Sequence, residues 1–182
     1  MYTIEWLKAN FNEGKDAEFL FFWGHTPKSP QSIDASCFSQ WFPASFTVEG
    51  ITYKTAEHWM MAEKARLFND EEMLAEILAA DKPAVAKALG RKVKNFDPAK
   101  WTAHAYAIVK KGTYHKFQQN EAMKACLLKT GDKILVEASP FDDIWGIGMG
   151  KDNPKALHVD TWRGQNLLGF ILTEVRDEFR KA

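Results

Sequence analysis

The sequence predicts a mainly α, multihelical single domain with a small β element. Three observations carry the prediction. Helix starts recur at Thr55, Asn69-Asp70, Asp97-Pro98 and Asn120-Glu121, where side chains that cap helices precede helical spacing. The β-rich runs are short. The chain of 182 residues, 46% hydrophobic and 26% charged, shows no repeat, low-complexity tract or charge block that would mark a domain boundary, and its length suits one sizeable core.

Taken in order, Glu18-Phe19-Leu20-Phe21-Phe22-Trp23 reads as a buried strand, followed by a loop from Gly24 to Ser36 rich in Pro, Ser and Thr. Between Ser45 and Tyr53, two β-rich runs flank Glu49-Gly50 and form a short hairpin. Thr55 caps a helix to about Phe68, with Trp59, Ala62, Ala65 and Arg66 at helical spacing. Asn69-Asp70-Glu71-Glu72 opens a helix to about Ala79, and a short helix runs from Pro83 to Gly90. Asp97, with proline at the first helical position, opens a long helix through Trp101, Ala105, Ile108 and Val109 to about Phe117. Asn120-Glu121 restarts the helix and Gly131 closes it. Ile134 to Ala138 is a strand that delivers the loop Ser139 to Asp152. The last helix, Gly164 to Phe179, carries Leu167, Leu168, Ile171, Leu172 and Val175 on an apolar face.

Composition excludes several classes. With 24 Lys+Arg against 24 Asp+Glu, a net charge of zero and a pI near 7.0, the chain lacks the basic excess of a duplex binder or the basic amphipathic segment of a lipid-surface binder. Even the longest apolar runs, such as Phe19 to Trp23, fall far short of the roughly 20 residues that span a bilayer. The first residues lack the basic stretch of a signal peptide, so a soluble, cytoplasmic protein is expected. The two cysteines, Cys37 and Cys126, are read as reduced and partly buried. The five histidines are scattered without ligand spacing, so no metal is expected. Seven Trp in an otherwise average chain supply flat apolar surface with polar edges.

Three constellations could carry chemistry. Glu57, Met61 and Lys64 share one helical face, putting a carboxylate and an amine two turns apart, with Glu57 in the first turn where the helix dipole favours its charge. The plain alternative is a first-turn acid and a solvated lysine. The loop from Glu137 to Gly150 combines Asp142, Asp143, Trp145 and three alternate glycines, which let backbone approach a ligand; a packed glycine turn is the alternative. The glycine spacing is wrong for a dinucleotide fingerprint. Gly90-Arg91-Lys92-Val93-Lys94 groups three cations at a helix end, able to hold a phosphate or simply to answer the helix dipole. Trp41, Trp59, Trp101 and Trp145 lie in or near these segments, and stacking on such rings is worth about 1–3 kcal/mol per base.

Several of these segments form a specific set. Phe38-Ser39-Gln40-Trp41-Phe42-Pro43, the run Phe46 to Lys64 with Thr55-Ala56-Glu57-His58, then Thr130-Gly131-Asp132, Leu135 to Ser139, Asp142 to Gly148 (DDIWGIG) and Asn166-Leu167-Leu168-Gly169 together resemble the YbiA-like family, also called NADAR. The motifs keep the family's order and span roughly Phe38 to Arg176. The chain departs from the family at Gln40-Trp41-Phe42, where Asn-Phe-Tyr is more usual, and at Trp59-Met60-Met61, which replaces an Ala-Tyr-Gln type sequence.

The resemblance implies a mainly α, multihelical single domain and hydrolysis of N-glycosidic bonds to ribose. Its expected substrates are the phosphoribosylated aminopyrimidines of early riboflavin biosynthesis, with ADP-ribosylated guanine as an alternative and a non-catalytic ADP-ribose or nucleotide binder as a third reading. By motif position Glu57, Asp142 and Trp101 match residues tied to activity, and Lys64 lies on the same family helix as a covalent amine. Trp101, Trp145 and Trp41 are then expected to stack on substrate, with Arg91 and Lys92 on its phosphate. Neither a carboxylate route nor a Schiff-base route needs a metal or organic cofactor.

Overall fold

The computed structural model describes residues 1–14 and 16–181, which resolve into two compact units. One combines Met1–Ser39 with Ala122–Ala182, and the other is the continuous stretch Gln40–Glu121. The described residues form seven α-helices and four short strands, the mainly α architecture expected. No described helix is long and apolar enough to cross a membrane.

In the discontinuous unit, α1 (Ile4–Asn10) was not foreseen: at 7 residues it is too short to show a period, although Thr3 caps it by accepting from the Trp6 N–H. Strand β1 (Phe19–Phe22) pairs in parallel with a distant strand, labelled β4 below, from Phe19↔Ile134 to Phe22↔Glu137. The aromatic run is less buried than its composition predicts. Only Phe22 within β1 is buried, and Trp23 is 56% exposed, because the sheet has two strands and covers little on its own.

In the continuous unit, β2 (Phe46–Val48) and β3 (Ile51–Tyr53) make the expected hairpin. Glu49 and Gly50 both sit in the left-handed region, φ +53° and +80°, as a two-residue turn matched to strand twist requires. Helices α2 (Ala56–Leu67), α3 (Glu71–Ala79), α4 (Pro83–Gly90) and α5 (Pro98–Gln118) follow, with α2, α3 and α5 capped by Thr55, Asp70 and Asp97 as read from sequence. The apolar spacing predicted a stripe on α2, yet residues 56–62 are all buried, because α3, α4 and α5 each pack against it. A helix buried all round needs its polar groups satisfied. His58 meets this with Nε2–H donating to the Ala80 carbonyl at 3.1 Å and Nδ1 accepting from the Thr55 hydroxyl at 2.8 Å.

The discontinuous unit resumes at Ala122, within α6 (Glu121–Leu128), and continues through β4 (Ile134–Glu137) and α7 (Leu167–Lys181). Helix α7 begins three residues after the expected Gly164, since the N–H groups of Gly164, Gln165 and Asn166 are engaged with the carbonyls of Ile147, Asp143 and Gly146. Asn166, fully buried with φ +55°, accepts from the Glu137 N–H at 2.9 Å and donates to the Leu135 carbonyl at 3.0 Å, so its amide occupies the edge of β4 that β1 leaves open. A Cβ on Gly169 would lie 2.2 Å from the Leu135 carbonyl oxygen, which explains glycine where α7 crosses β4. Leu7, Ile134, Val136, Ile147 and Phe170 form the core there, each buried large side chain contributing about 1.5–3 kcal/mol.

Candidate active site

The face of α2 that carries Glu57, Met61 and Lys64 runs along the end of α4. A Cβ on Gly90 would overlap the Met61 sulfur, so the last turn of α4 lies directly against the middle of this face. Glu57, in the first turn, is only 5% exposed, and its N–H donates to the Gln40 carbonyl at 3.0 Å. That bond holds the start of α2 to the residue preceding Trp41. Trp41 is half-buried, with the Lys87 ammonium of α4 5.8 Å from its ring centre.

At the other end of the face stands Lys64. Its Nζ lies 4.1 Å from the centre of the Phe96 ring and 5.6 Å from that of Trp101. The rings hold the ammonium by cation–π attraction but also keep water from it. Burial pushes the Lys64 amine below its usual range, and the Arg91 guanidinium adds to the effect by repulsion. Arg91 is the C-cap of α4, exposed beside Lys92, so both offer donors where the helix ends. The third cation of the sequence cluster is committed elsewhere: Lys94 pairs with Glu72 at 2.7 Å, and its N–H bonds Asp70.

Thus the structure brings Lys64, Arg91 and Trp101 together, with Lys92 next along the chain and Glu57 two turns away on the same helix. Sequence reasoning missed Phe96 and Lys87. Phe96, 43% exposed, was visible as an aromatic between Asn95 and Asp97 that no element needed. Lys87 precedes Arg91 by one helical turn, a spacing that a search for contiguous cations does not show.

Asp142 and Trp145 belong to the discontinuous unit, in the loop after β4. Asp142 Oδ1 accepts from the N–H groups of Ile144 at 2.9 Å and Trp145 at 2.7 Å, and its carbonyl accepts from Gly148. The carboxylate thereby sets the turn that presents the half-buried Trp145. A Cβ on Gly164 would lie 2.3 Å from the Gly146 carbonyl oxygen and 2.7 Å from the Asp143 Cα, so two stretches of backbone touch here and the loop is fixed.

The multihelical scaffold holds a water-poor amine, a buried carboxylate and indole rings, and the relatives it is similar to are named N-glycosidases, hydrolases of N-glycosyl bonds. Residues 21–180 match the model of the NADAR domain. The chain belongs to the NADAR domain family. It is 40% identical to an N-glycosidase of Acanthamoeba polyphaga mimivirus over 166 residues, 88% of this chain and 96% of that one. It is 31% identical to the N-glycosidase YbiA of Escherichia coli, over 80% of each chain. The solved NMR structure of the E. coli protein YbiA superposes with a TM-score of 0.72 at 27% identity, over 90% of this chain and 86% of that one.

Proposed function

We propose that this protein hydrolyses the C1–N bond between ribose 5-phosphate and the aminopyrimidine of early riboflavin biosynthesis intermediates. The observation that carries the reading is the environment of Lys64: an amine between two aromatic rings, beside a guanidinium, is more readily neutral and nucleophilic than one in water.

In this route the ribosyl ring opens and the Lys64 amine attacks C1. The C1–N bond to the base breaks, the aminopyrimidine leaves with a proton, and a Schiff base forms at Lys64. Water then attacks C1, releasing ribose 5-phosphate and the free amine. Glu57 is the proton carrier for ring opening and departure of the base, and Asp142 is the second carboxylate that stabilises positive charge at C1. Trp101, Trp145 and Trp41 stack on the heterocycle, while Arg91 and Lys92 hold the phosphate.

The test is product formation. Purified protein incubated with the phosphoribosylated aminopyrimidines is expected to release ribose 5-phosphate, and borohydride added during turnover is expected to leave a reduced adduct on Lys64. Release of ADP-ribose from ADP-ribosylated guanosine instead would change the substrate and keep the bond type. Binding without release would make the protein a nucleotide-binding module, and full activity of Lys64→Ala would remove the Schiff-base route.

A further inference from the structure

A second constellation lies wholly within the discontinuous unit, at the end of β4 away from the loop that carries Asp142. That strand runs from Ile134 to Glu137, and the loop leaves it after Glu137. At the Ile134 end there is a cavity of about 390 Å³, within the size range of small-molecule sites. Part of its lining is aromatic. Tyr2, Trp6 and Phe11 stand there half-buried, with the Trp6 ring centre 4.3 Å from that of Tyr2 and 5.6 Å from that of Phe11. The remainder is charged: Arg176, Asp177, Arg180 and Lys181 come from the end of α7, and Asp132 from the turn before β4.

Arg176 sets the chemistry of this cavity. It is only 2% exposed, and its guanidinium is held on two sides: Nε donates to Asp177 Oδ1 at 3.0 Å, and Nη1 donates to the Thr130 hydroxyl at 3.3 Å and to the Lys133 carbonyl. Nη2 has no partner among the described residues and is not shut off from water, so its donors are left for a ligand in the cavity that Arg176 lines. A guanidinium fixed in this way is a rigid fork that suits an anion. The neighbouring carboxylates do not fill that role. Asp177 is engaged on both oxygens, since Oδ2 accepts from the Tyr2 hydroxyl at 2.6 Å. Burial and that bond push the Tyr2 phenol up to about 12, so it adds no negative charge. Asp132 pairs with Arg180 at 2.8 Å but is 99% exposed, and water screens such a pair enough for a bound anion to replace it. Three cations against two carboxylates leave the lining with a positive excess.

We propose that this cavity binds a small planar anion, a heterocyclic ring carrying a single phosphate as in a nucleoside monophosphate, with the ring against Trp6 and Phe11 and the phosphate on Arg176, Arg180 and Lys181. A phosphate presents three acceptor oxygens, enough to meet all three cations together, where a carboxylate presents two. On binding, the phosphate takes the place of Asp132 on Arg180. The cavity shares no residue with the catalytic machinery proposed above, so it stands independently of that reaction.

The experiment titrates the full isotope-labelled chain with each of the four common ribonucleoside monophosphates, with the parent nucleosides and with inorganic phosphate, following backbone, indole and guanidinium N–H signals by NMR. At least one monophosphate is expected to shift the Trp6 indole, Ile134 and Arg176 signals to saturation. Its nucleoside and inorganic phosphate should each bind about tenfold or more weakly, because each keeps only one part of the contacts. Arg180→Gln should weaken the monophosphate about tenfold and leave the nucleoside unchanged, whereas Trp6→Leu should weaken both. Arg176 is kept intact, since its bonds to Thr130 and Lys133 hold the end of α7 to the turn before β4. The proposal is wrong if no monophosphate shifts the cavity signals, if the shifts centre on Trp101 or Trp145 alone, or if nucleoside or inorganic phosphate binds as tightly as the monophosphate. The wild-type titration decides this even if a variant fails to fold.

Discussion

An ammonium held between two rings beside a guanidinium costs the fold stability, and that cost fixes what substitution of Lys64 should do. Because its folded pKa lies below its unfolded value, the unfolded chain binds more protons between the two, so this contribution rises with pH and is least favourable in acid. Lys64→Met is therefore expected to raise the urea midpoint while abolishing borohydride trapping, and in the wild type trapping should increase with pH. Glu57→Gln keeps the shape of a buried side chain and removes its charge; a fall in kcat/KM of about 10²-fold or more, at an unchanged urea midpoint, is the outcome expected of a proton carrier. For Asp142 the two available substitutions separate charge from turn geometry. Asparagine retains the Oδ1 acceptor for Ile144 and Trp145, so Asp142→Asn should lower kcat with little change in melting temperature, whereas Asp142→Ala should also destabilise by about 1 kcal/mol.

Between helices, two glycines make a contrast. A Cβ on Gly112 of α5 would lie 2.2 Å from the Trp59 ring of α2, whose indole N–H donates to the Ile108 carbonyl at 2.8 Å and leaves the ring no freedom to retreat. A Cβ on Gly90 of α4 would meet the Met61 sulfur, the end of a flexible chain. Gly112→Ala should thus cost about 1–3 kcal/mol by urea denaturation, and Gly90→Ala less, with its effect falling on KM because Arg91 follows directly. Most helix ends were legible in the sequence, because Thr55, Asp70 and Asp97 cap through local hydrogen bonds that need no tertiary knowledge. The hairpin was legible from Glu49-Gly50 for the same reason. The pairing of β1 with β4 was not, since parallel partners far apart leave no local signal, and Asn166 acting as a strand edge depends wholly on that pairing. In the candidate site, Glu57 and Lys64 could be placed on one face by counting. The approach of Arg91 to Lys64 could not, because it follows from α4 packing on Met61.

For the molecule as a whole, the buried His58 links stability to acidity. Desolvation, with Lys54 nearby, holds its imidazole below the usual value of 6.5, against the Ala80 bond, which favours the charged form. The unfolded chain therefore gains a proton that the folded chain refuses. Stability should be intact above about pH 6.5 and decline as pH falls from there toward the folded pKa, and His58→Gln should flatten that slope while lowering stability at pH 7.5, as read from urea midpoints at pH 5 and 7.5. The parallel pairing of β1 with β4 has a consequence for synthesis. During translation, Phe19, Leu20, Phe21 and Phe22 leave the ribosome on the order of ten seconds before Ile134, and the whole stretch Gln40–Glu121, whose helices contact one another, emerges in between. The nascent chain carries an unpaired aromatic strand throughout that interval, a segment that a chaperone must shield or that its neighbours on a polysome can capture.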